Sequence, residues 1–424
     1  MPLRICFYED ASFSQFSPLT CIRPVYILRS GILPLFEVAD RYFPGAEISL
    51  VARDVVSPFL AEQCRDYPVN MIKRSDGADV LFLNGRIRDY GDLPELVKKA
   101  RISTEFKRGD ETVGVLFKID TLSGIPTIIT PDSYTRAYEQ QKADFPDFET
   151  TATLHHYSWD IMADIEKAIA ADFAYLKPKF KAPTNVTIHQ GAYLMAKENI
   201  HFEDGVTVYP GAVVDASNGP IYIGANVRIE SHAAIYGPCF IGANSVVLAG
   251  KITASSIGHT CRVGGEVEES VFHAYVNKYH AGFIGHSYVA PWVNFGAMTT
   301  NSDLKNNYSN IRCTVNGHSI DTGSMKVGSF IGDHSKFGIG TLLNTGIHIG
   351  VCCNIFGGGL TTDKELPPFQ WGNTNRYHTF SLDKGLETAR KAMERRNTQL
   401  SNHEAELLRL VAEGKLSPQG IVNW

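Results

Sequence analysis

The sequence has little that would place the protein in a membrane, in the secretory pathway or on nucleic acid. No run of 18 uninterrupted apolar residues is present, so a transmembrane helix is not expected. The first ten residues include Glu9 and Asp10 and no long apolar segment, so no signal peptide is expected. The eight cysteines form no CxxC pair and no zinc-type spacing. With 40 Lys+Arg against 45 Asp+Glu, the chain has no general attraction to nucleic acid or anionic lipid. These absences predict a reduced cytoplasmic protein without a membrane or nucleic-acid partner.

The composition predicts a folded protein of two or three domains. Of the 424 residues, 44% are apolar and only 20% are charged, which is enough to bury a sizeable core. Residues 1–180 alternate short β-branched runs with helical patterns, which predicts βαβ units and a mostly parallel sheet. The predicted strands are Arg4–Tyr8, Ile48–Ala52, Asp79–Leu83 and Val113–Lys118, and the predicted helices are Pro34–Tyr42, Leu93–Ala100 and Trp159–Tyr175.

A six-residue period replaces this pattern over residues 184–375. Apolar residues keep the phase in three runs, of four or five members each: Ile188, Leu194, Ile200, Val206; Ile223, Ile229, Ile235, Ile241, Val247; and Ile331, Phe337, Leu343, Ile349, Ile355. This period is typical of a parallel β-helix, in which stacked coils bury one apolar residue per short strand. The phase breaks at Thr253–Tyr279 and at Thr300–Lys326, and loops that interrupt a rigid repeat are often functional. The tail, residues 376–424, has helical spacing over Leu386–Glu413.

Several motifs resemble those of one enzyme family. They are Ser17–Pro24, Leu28–Gly31, Phe82–Arg86, Gly264–Val267, Asn277–His280, Asn301–Tyr308 and Gly332–Lys336. With them the chain resembles sugar nucleotidyltransferases related to the bifunctional UDP-N-acetylglucosamine pyrophosphorylase/glucosamine-1-phosphate acetyltransferase family. The resemblance implies a truncated, doubly wound nucleotidyltransferase-like α/β domain, a left-handed parallel β-helix and a homotrimer, and the spacing in the tail adds a C-terminal helix.

For the α/β domain, the resemblance implies sugar-1-phosphate nucleotidyl transfer with UTP or another NTP and Mg²⁺. The implied substrate-binding residues are Thr20, Arg23, Arg29, Asn84 and Arg86. Two positions depart from active pyrophosphorylases: Asp10–Ser14 stand in place of a glycine-rich loop, and Arg86 stands where a Mg²⁺-binding aspartate is found. A cation there repels a metal ion, which leaves Asp89 as a substitute ligand or a plain turn residue. A structural loop with ordinary ion pairs is the alternative for Arg23 and Arg29.

For the β-helix, the resemblance implies acyl transfer from acetyl-CoA or another acyl-CoA to an amino-sugar phosphate. His280 is the implied general base, with Lys278 and Asn301 as substrate contacts. Asp303 is predicted to orient His280 or to hold the amine, or else to cap a turn. Lys305 is predicted to neutralise a phosphate, with a solvated surface lysine as the alternative. His334 is a reserve base, and His286 and His348 are predicted to be structural.

The sequence therefore predicts a transferase of nucleotide-sugar metabolism. Acyl transfer in the β-helix is its main activity, and nucleotidyl transfer is a second one. Two alternatives stay open at this point: a non-catalytic nucleotide-sugar-binding regulatory protein, and a structural scaffold that binds no ligand.

Overall fold

The chain divides into two compact units. A computed structural model describes residues 3–72, 77–119, 121, 127–373, 376–417, 420 and 421. The first unit consists of Met1–Phe16, Ile22–Leu28 and Leu33–His156, and the second of Ser17–Cys21, Arg29–Ile32 and Tyr157–Trp424. The long segments of the two units meet between His156 and Tyr157. The predicted domain limits of 1–180, 184–375 and 376–424 stay predictions.

The first unit is built on a six-stranded mixed sheet. In sheet order its strands are Glu47–Leu50, Leu3–Tyr8, Asp79–Asn84, Glu111–Phe117, Thr104–Arg108 and Asp147–Glu149. The first three strands are parallel to one another, as predicted. The prediction of a βαβ unit fails at Glu111–Phe117, which pairs antiparallel with Asp79–Asn84 and with Thr104–Arg108. Only a tight turn at Gly109 separates Thr104–Arg108 from Glu111–Phe117, so no crossover helix is needed between these two strands.

Short helices flank this sheet. The α-helices are Ala39–Tyr42, Ser57–Gln63, Leu93–Lys99 and Pro131–Gln141, and the 3-10 helices are Ala11–Phe16, Val25–Ile27 and Lys142–Asp144. A two-stranded ladder joins Ile87–Asp89 to Thr153–Leu154. The predicted helix at Leu93–Ala100 is confirmed. The one predicted at Pro34–Tyr42 is shorter, because only its last turn is α-helical.

The second unit is a parallel β-solenoid of about ten turns, as predicted. Its strands stack in three faces, named here in the order in which the chain visits them. Face 1 contains Thr187–Ile188, Thr207–Val208, Arg228–Ile229, Asn277–Lys278, Asn294–Phe295, Lys336–Phe337, Asn354–Phe356 and Gln370–Asn373. Face 2 contains Tyr193–Met195, Val213–Asp215, Ala233–Tyr236, Phe283–Gly285, Thr300–Asn301, Thr341–Leu343 and Gly359–Thr361. Face 3 contains Ile200–Phe202, Ile221–Ile223, Cys239–Ile241, Ser256–Ile257, Val271–Phe272, Tyr288–Val289, Ser329–Ile331, Ile347–Ile349 and Glu365–Leu366.

The periodic apolar residues form the solenoid core. All five members of the middle run and all five of the last run are buried and belong to one continuous cluster. Each inward side chain rests on the equivalent residue of the coils above and below, and full burial of an isoleucine or valine contributes about 1.5–3 kcal/mol. Ile188, on the first coil, stays about half exposed because no coil precedes it.

One of the two predicted interruptions is absent. The coils continue through residues 253–279, where two long strands, Val246–Thr253 and Arg262–Glu268, run from face 1 to face 2 with a shift in register. Three charged residues that broke the sequence pattern, Arg262, Glu266 and Glu268, are partly exposed on the second of these strands. The second interruption is confirmed, since residues 302–328 leave the coil and form the hairpin Arg312–Val315/His318–Asp321.

Along the chain, helices precede and follow the solenoid. Ser158–Ala163, Ile165–Leu176 and the 3-10 turn Lys177–Lys179 precede it, the 3-10 turn Lys197–Asn199 lies within it, and Leu382–Glu394 and Asn402–Ala412 follow it. The strand Arg376–Thr379 closes the last coil by antiparallel pairing, and Leu416–Ser417 pairs with Gly420–Ile421. In the part of the chain that the structure describes, no helix has the length and apolar character needed to cross a membrane. All eight cysteines are free thiols.

Candidate functional site

In the first unit, a buried arginine lies beyond the carboxyl end of Asp79–Asn84. The Arg86 guanidinium donates to both carboxylate oxygens of Asp10 at 2.7–3.2 Å, to Glu111 Oε1 at 3.1 Å and to the carbonyl of His155 at 2.8 Å. Asn84 donates to Asp10 at 2.9 Å and accepts from the Arg86 backbone amide at 3.0 Å. Burial opposes the charge of Arg86, but its hydrogen bonds to Asp10 and Glu111 keep its pKa above the ordinary value.

This arrangement does not fit a resident Mg²⁺. Both oxygens of Asp10 are committed to the Arg86 guanidinium, which already supplies the positive charge that a metal would bring. Asp89 is exposed, and its carboxylate accepts from the amide of Gly91 at 3.0 Å, as in a turn. Among the described residues, no group of three His, Cys, Asp or Glu side chains is arranged to hold a metal ion. We therefore assign no step to a metal in this unit.

The predicted phosphate-binding residues fall into different units. Arg23 is buried in the first unit, where its carbonyl accepts from Arg53 at 2.9 Å, and Arg53 pairs with Glu9 at 3.0 Å. Thr20 and Arg29 belong to the second unit. The Arg29 amide donates to the Tyr288 hydroxyl at 3.0 Å and its guanidinium lies 5.2 Å from the Phe240 ring centre. Phosphate binding by Thr20, Arg23 and Arg29 stays a prediction.

Three successive coils of the solenoid bring Glu269, His286 and Asp303 into one stack at the corner between faces 2 and 3. His286 Nδ1 lies 2.7 Å from Asp303, and its Nε2 lies 3.2 Å from Glu269. Burial alone would lower the pKa of His286, but the hydrogen bonds to Asp303 and Glu269 outweigh it and raise the pKa to about 9. The bond from His286 in turn lowers the pKa of Glu269. His286 is therefore an imidazolium at neutral pH and cannot serve as a general base.

The structure places Asp303 against His286, whereas the orientation of His280 by Asp303 stays a prediction. The spacing of these residues in the sequence could have predicted this stack. Glu269, His286 and Asp303 are spaced by 17 residues each, which is the length of one coil at this corner. Residues one coil apart lie directly above one another, so an acidic, a basic and an acidic side chain at this spacing meet.

The stack predicts a pH-dependent stability. The folded-state pKa of about 9 for His286 exceeds the unfolded value of about 6.5, so its contribution is fully present below pH 6.5 and is lost as the pH rises through 9. We expect the free energy of unfolding to fall by about 2–3 kcal/mol more in the wild type than in His286→Gln between pH 6.5 and 9.5. Urea unfolding at several pH values measures this difference. His318→Gln, on the exposed hairpin, should keep the wild-type slope, and equal slopes for wild type and His286→Gln would contradict the assignment.

Lys278 and Asn301 are buried and bind the backbone. The Lys278 ammonium donates to the carbonyls of Gly264, His280 and Gly282 at 2.6–3.2 Å, and burial lowers its pKa to about 8. Asn301 accepts from the Gly285 amide at 2.8 Å and donates to the Gly285 carbonyl at 2.9 Å. The bonds to Gly264 and Gly285 join neighbouring coils, so we interpret both residues as structural and leave them out of the proposed reacting groups.

His280 is exposed at the corner between faces 1 and 2. Its ring contacts Tyr279 edge-on, with centres 5.2 Å apart, and its ring nitrogens make no hydrogen bond to the residues that the structure describes. The other candidate histidines are engaged or enclosed: His334 Nε2 lies 2.9 Å from Glu404 of the C-terminal helix, and His348 is buried. Lys305 donates to the carbonyl of Asn310 at 2.7 Å. Of the predicted catalytic groups, His280 alone is an imidazole open to a substrate.

A basic groove, which sequence analysis did not predict, lies between face 1 and the helix Leu382–Glu394. Its volume is about 280 Å³, and it is lined by Tyr275, Asn277, Trp292, Val293, Asn294, Lys336, Lys391, Ala392, Arg395 and Arg396. Four of these side chains are cationic and none is acidic. Tyr275 and Trp292 are stacked with ring centres 4.0 Å apart. The Lys336 ammonium donates to the carbonyl of Trp292, and burial lowers its pKa to about 8.

Comparison with known proteins gives matches to transferases. A 95-residue stretch, 22% of this chain, is 35% identical to the bifunctional sugar-1-phosphate nucleotidylyltransferase/acetyltransferase of Sulfurisphaera tokodaii, and the chain spans only about a quarter of that protein's length. Two solved structures are also similar. UDP-N-acetylglucosamine acyltransferase from Campylobacter jejuni has 16% identity, covers 56% of this chain and 100% of its own, and gives a TM-score of 0.27. The Arabidopsis enzyme of the same name has 12% identity, covers 56% and 94%, and gives a TM-score of 0.23. The predicted resemblance is confirmed for the N-terminal part of the chain, since residues 5–180, less than half of the sequence, match the family model described as sugar nucleotidyl transferase.

Proposed function

We propose that the protein is a cytoplasmic transferase of nucleotide-sugar metabolism. In this proposal the solenoid transfers an acyl group from an acyl-CoA to the amine of an amino-sugar phosphate or nucleotide sugar. The observation that carries the proposal is the basic groove. The names of the relatives, which include acetyltransferase and acyltransferase activities, support the same class of reaction.

The groove has the chemistry that the nucleotide end of acyl-CoA requires. The phosphates of acyl-CoA are suited to the guanidinium groups of Arg395 and Arg396, because guanidinium groups form strong charge-assisted hydrogen bonds to phosphate. The adenine ring of acyl-CoA is suited to the partly exposed ring of Tyr275, which the buried Trp292 supports from behind, because flat aromatic surfaces attract one another. The groove therefore accounts for both parts of one ligand.

The proposed base lies close to this groove along the chain. Asn277 lines the groove, and His280 follows it by three residues, which span at most about 11 Å. In the proposed reaction His280 takes the proton that the amine loses. The substrate amine attacks the thioester carbon, the carbon–sulfur bond breaks and the sulfur leaves as a thiolate, which receives from His280 the proton that the amine gave up. Asp303, held by His286, is not assigned to this step.

A second copy of the chain is part of the proposal. Exposed apolar side chains recur beside His280 on the same corner and on face 2, namely Tyr279, Met298, Ile339, Leu342 and Leu360. Leu342 and Leu360 are direct neighbours on consecutive coils. An apolar strip of this kind favours association, and we propose a homotrimer in which a neighbouring subunit covers it. Sedimentation analysis of the purified protein tests the trimer.

The direct test is an acetyl-transfer assay with glucosamine 1-phosphate and acetyl-CoA. Release of free CoA coupled to N-acetyl product supports the proposal. No turnover, with no thermal stabilisation by CoA, would contradict the solenoid assignment, because a ligand bound to the native state raises its stability.

The groove makes a separate prediction about binding. We expect Arg395→Gln to weaken CoA binding about 10-fold, because a charge-assisted hydrogen bond to phosphate contributes about 1.5–3 kcal/mol. Isothermal titration calorimetry measures the change. Arg395 is exposed, so the variant should fold normally. Arg390→Gln, on the same helix but outside the groove, is the matched control, and equal weakening in both variants would contradict the proposed phosphate contact.

The geometry of Arg86 favours a second function for the first unit, which is nucleotide-sugar binding without nucleotidyl transfer. The guanidinium neutralises Asp10 and Glu111, so the residues that the structure describes in this unit offer no acidic set for the Mg²⁺ that pyrophosphorylase chemistry uses. An assay with N-acetylglucosamine 1-phosphate, UTP and Mg²⁺ should give no pyrophosphate, while a UDP-sugar should still raise the melting temperature. Pyrophosphate release would overturn this assignment. A scaffold, by contrast, would show no thermal shift with any ligand.

A further inference from the structure

A second cavity in the solenoid unit lies on face 3 and differs in chemistry from the basic groove. Its volume is about 290 Å³, near the lower limit for small-molecule sites. Pro18, Leu366, Pro367 and Pro368 give it apolar walls, and His348 and Glu365 supply its ionisable groups. No Lys or Arg is among the described residues that line it, so it is not suited to a phosphate.

His348 is enclosed in this cavity wall with unused hydrogen-bonding capacity. Its side chain is only 2% exposed, yet neither ring nitrogen has a hydrogen bond of good geometry to the described residues, and the Gly346 carbonyl is only a weak partner. Phe330 stacks on the ring with centres 4.7 Å apart, and Trp159 meets it edge-on at 6.3 Å. Both aromatic rings fix the imidazole in place. Buried polar atoms nearly always have partners, so an unpaired imidazole at a cavity needs an explanation.

The protonation state of His348 determines which hydrogen-bond donors and acceptors the ring presents to a ligand. Burial lowers its pKa to about 4, against a smaller opposing effect of the Gly346 carbonyl. The ring is therefore neutral at pH 7, with one nitrogen that donates and one that accepts. A hydroxyl group can use either nitrogen, whereas an anion can use only the donor.

Glu365 supplies an acceptor in the same cavity. Its two oxygens accept from the amides of Asn316 and Gly317, each at 2.8 Å, at the tip of the long hairpin. These bonds hold the carboxylate in one orientation and leave further lone pairs on both oxygens. A carboxylate and a neutral imidazole beside apolar proline and leucine surfaces suit a ligand that has both hydroxyl groups and C–H faces.

We propose that this cavity binds one uncharged polyol, the size of a single sugar ring, through His348 and Glu365. The ligand hydroxyls pair with the imidazole nitrogens and the carboxylate, and its C–H face lies on the prolines. The site is separate from the groove proposed for acyl-CoA, and binding to it is measured without turnover. Failure of the acetyl-transfer assay would therefore leave this proposal standing.

The test is isothermal titration of the full-length protein with glucose, galactose, mannose and N-acetylglucosamine, each to millimolar concentration. We expect at least one sugar to bind the wild type and its affinity to fall at least 10-fold in His348→Leu. Without sugar, His348→Leu should melt about 2–4 °C higher than the wild type, because an apolar side chain removes the unpaired buried nitrogens. If His348 served only to stabilise the fold, His348→Leu would melt at a lower temperature than the wild type.

Two further variants keep the result interpretable. His318→Leu, on the exposed hairpin, should bind the sugar as the wild type does. Glu365→Gln should weaken binding even if His348→Leu does not fold. The proposal is overturned if none of the four sugars binds the wild type, or if both cavity variants bind as tightly as the wild type.

Discussion

Replacing His280 with alanine is expected to lower kcat for acetyl transfer at least about 100-fold, which is the contribution of a positioned general base. The ring is exposed and its nitrogens are not hydrogen-bonded to the described residues, so the change should leave the melting temperature within about 1 °C. The KM values for both substrates should also change little, because proton removal from the amine belongs to the transition state. Steady-state kinetics with purified protein measures all three quantities.

Two comparisons make the result specific to His280. His318→Ala, an equally exposed histidine on the long hairpin, should retain full activity. His286→Gln should reduce stability at neutral pH but should not remove turnover, because its imidazolium has no proton-accepting nitrogen. If His280→Ala keeps more than half of the wild-type kcat, the assignment of the base fails even where acetyl transfer itself is observed.

Replacing Arg86 with methionine is expected to lower the free energy of unfolding of the first unit by about 1.5–3 kcal/mol, which is the contribution of a hydrogen bond to a charged group, because Asp10 and Glu111 keep some contact with solvent. Arg86 is 2% exposed and bonds to Asp10, Glu111 and the His155 carbonyl. Its loss leaves two carboxylates beside each other and a carbonyl without a donor. Urea unfolding, together with hydrogen exchange of Asp79–Asn84, measures the effect in this unit.

The matched control is Arg108→Met. Arg108 is half exposed and lies 3.9 Å from Glu149, so its loss should cost no more than about 1 kcal/mol. Arg86→Lys should fall between the two, because lysine keeps the charge but cannot bond in several fixed directions at once. Equal stability of Arg86→Met and Arg108→Met would show that the buried network contributes little.

The parts of the fold that depend on local period were predictable from the amino-acid sequence. The inward positions Ile229, Ile235 and Ile241 are buried as expected, since a six-residue phase places each on the same side of its strand. The strands at Leu3–Tyr8 and Asp79–Asn84 were equally recognisable, because buried parallel strands consist of continuous apolar residues. The hairpin at Gly109 was missed, as a two-residue turn leaves only a weak mark on an apolar pattern.

The candidate site was less predictable because its contacts join distant residues. The Arg86 network depends on how Asp10 and Glu111 approach from two other strands, and the basic groove depends on a helix more than 100 residues after Asn277. The pairing of Asp303 with His286 depends on a coil length of 17 residues at this corner, which the six-residue phase of the apolar residues does not give. Such pairings follow from the assembled coils and not from any single segment.

The chain path of the solenoid unit restricts how this protein can be recombined. Two early segments, Ser17–Cys21 and Arg29–Ile32, belong to that unit. The carbonyl of Gly31 accepts from Ser256 at 2.6 Å, and the amide of Ile32 donates to Asp172 at 2.8 Å. Gly31 has no room for a side chain, since a Cβ there would lie 2.3 Å from an Asp172 oxygen. A gene fragment that encodes only the repeats therefore lacks residues of their own packing, so the solenoid cannot be moved as a cassette by a single crossover in the way that linearly joined domains can.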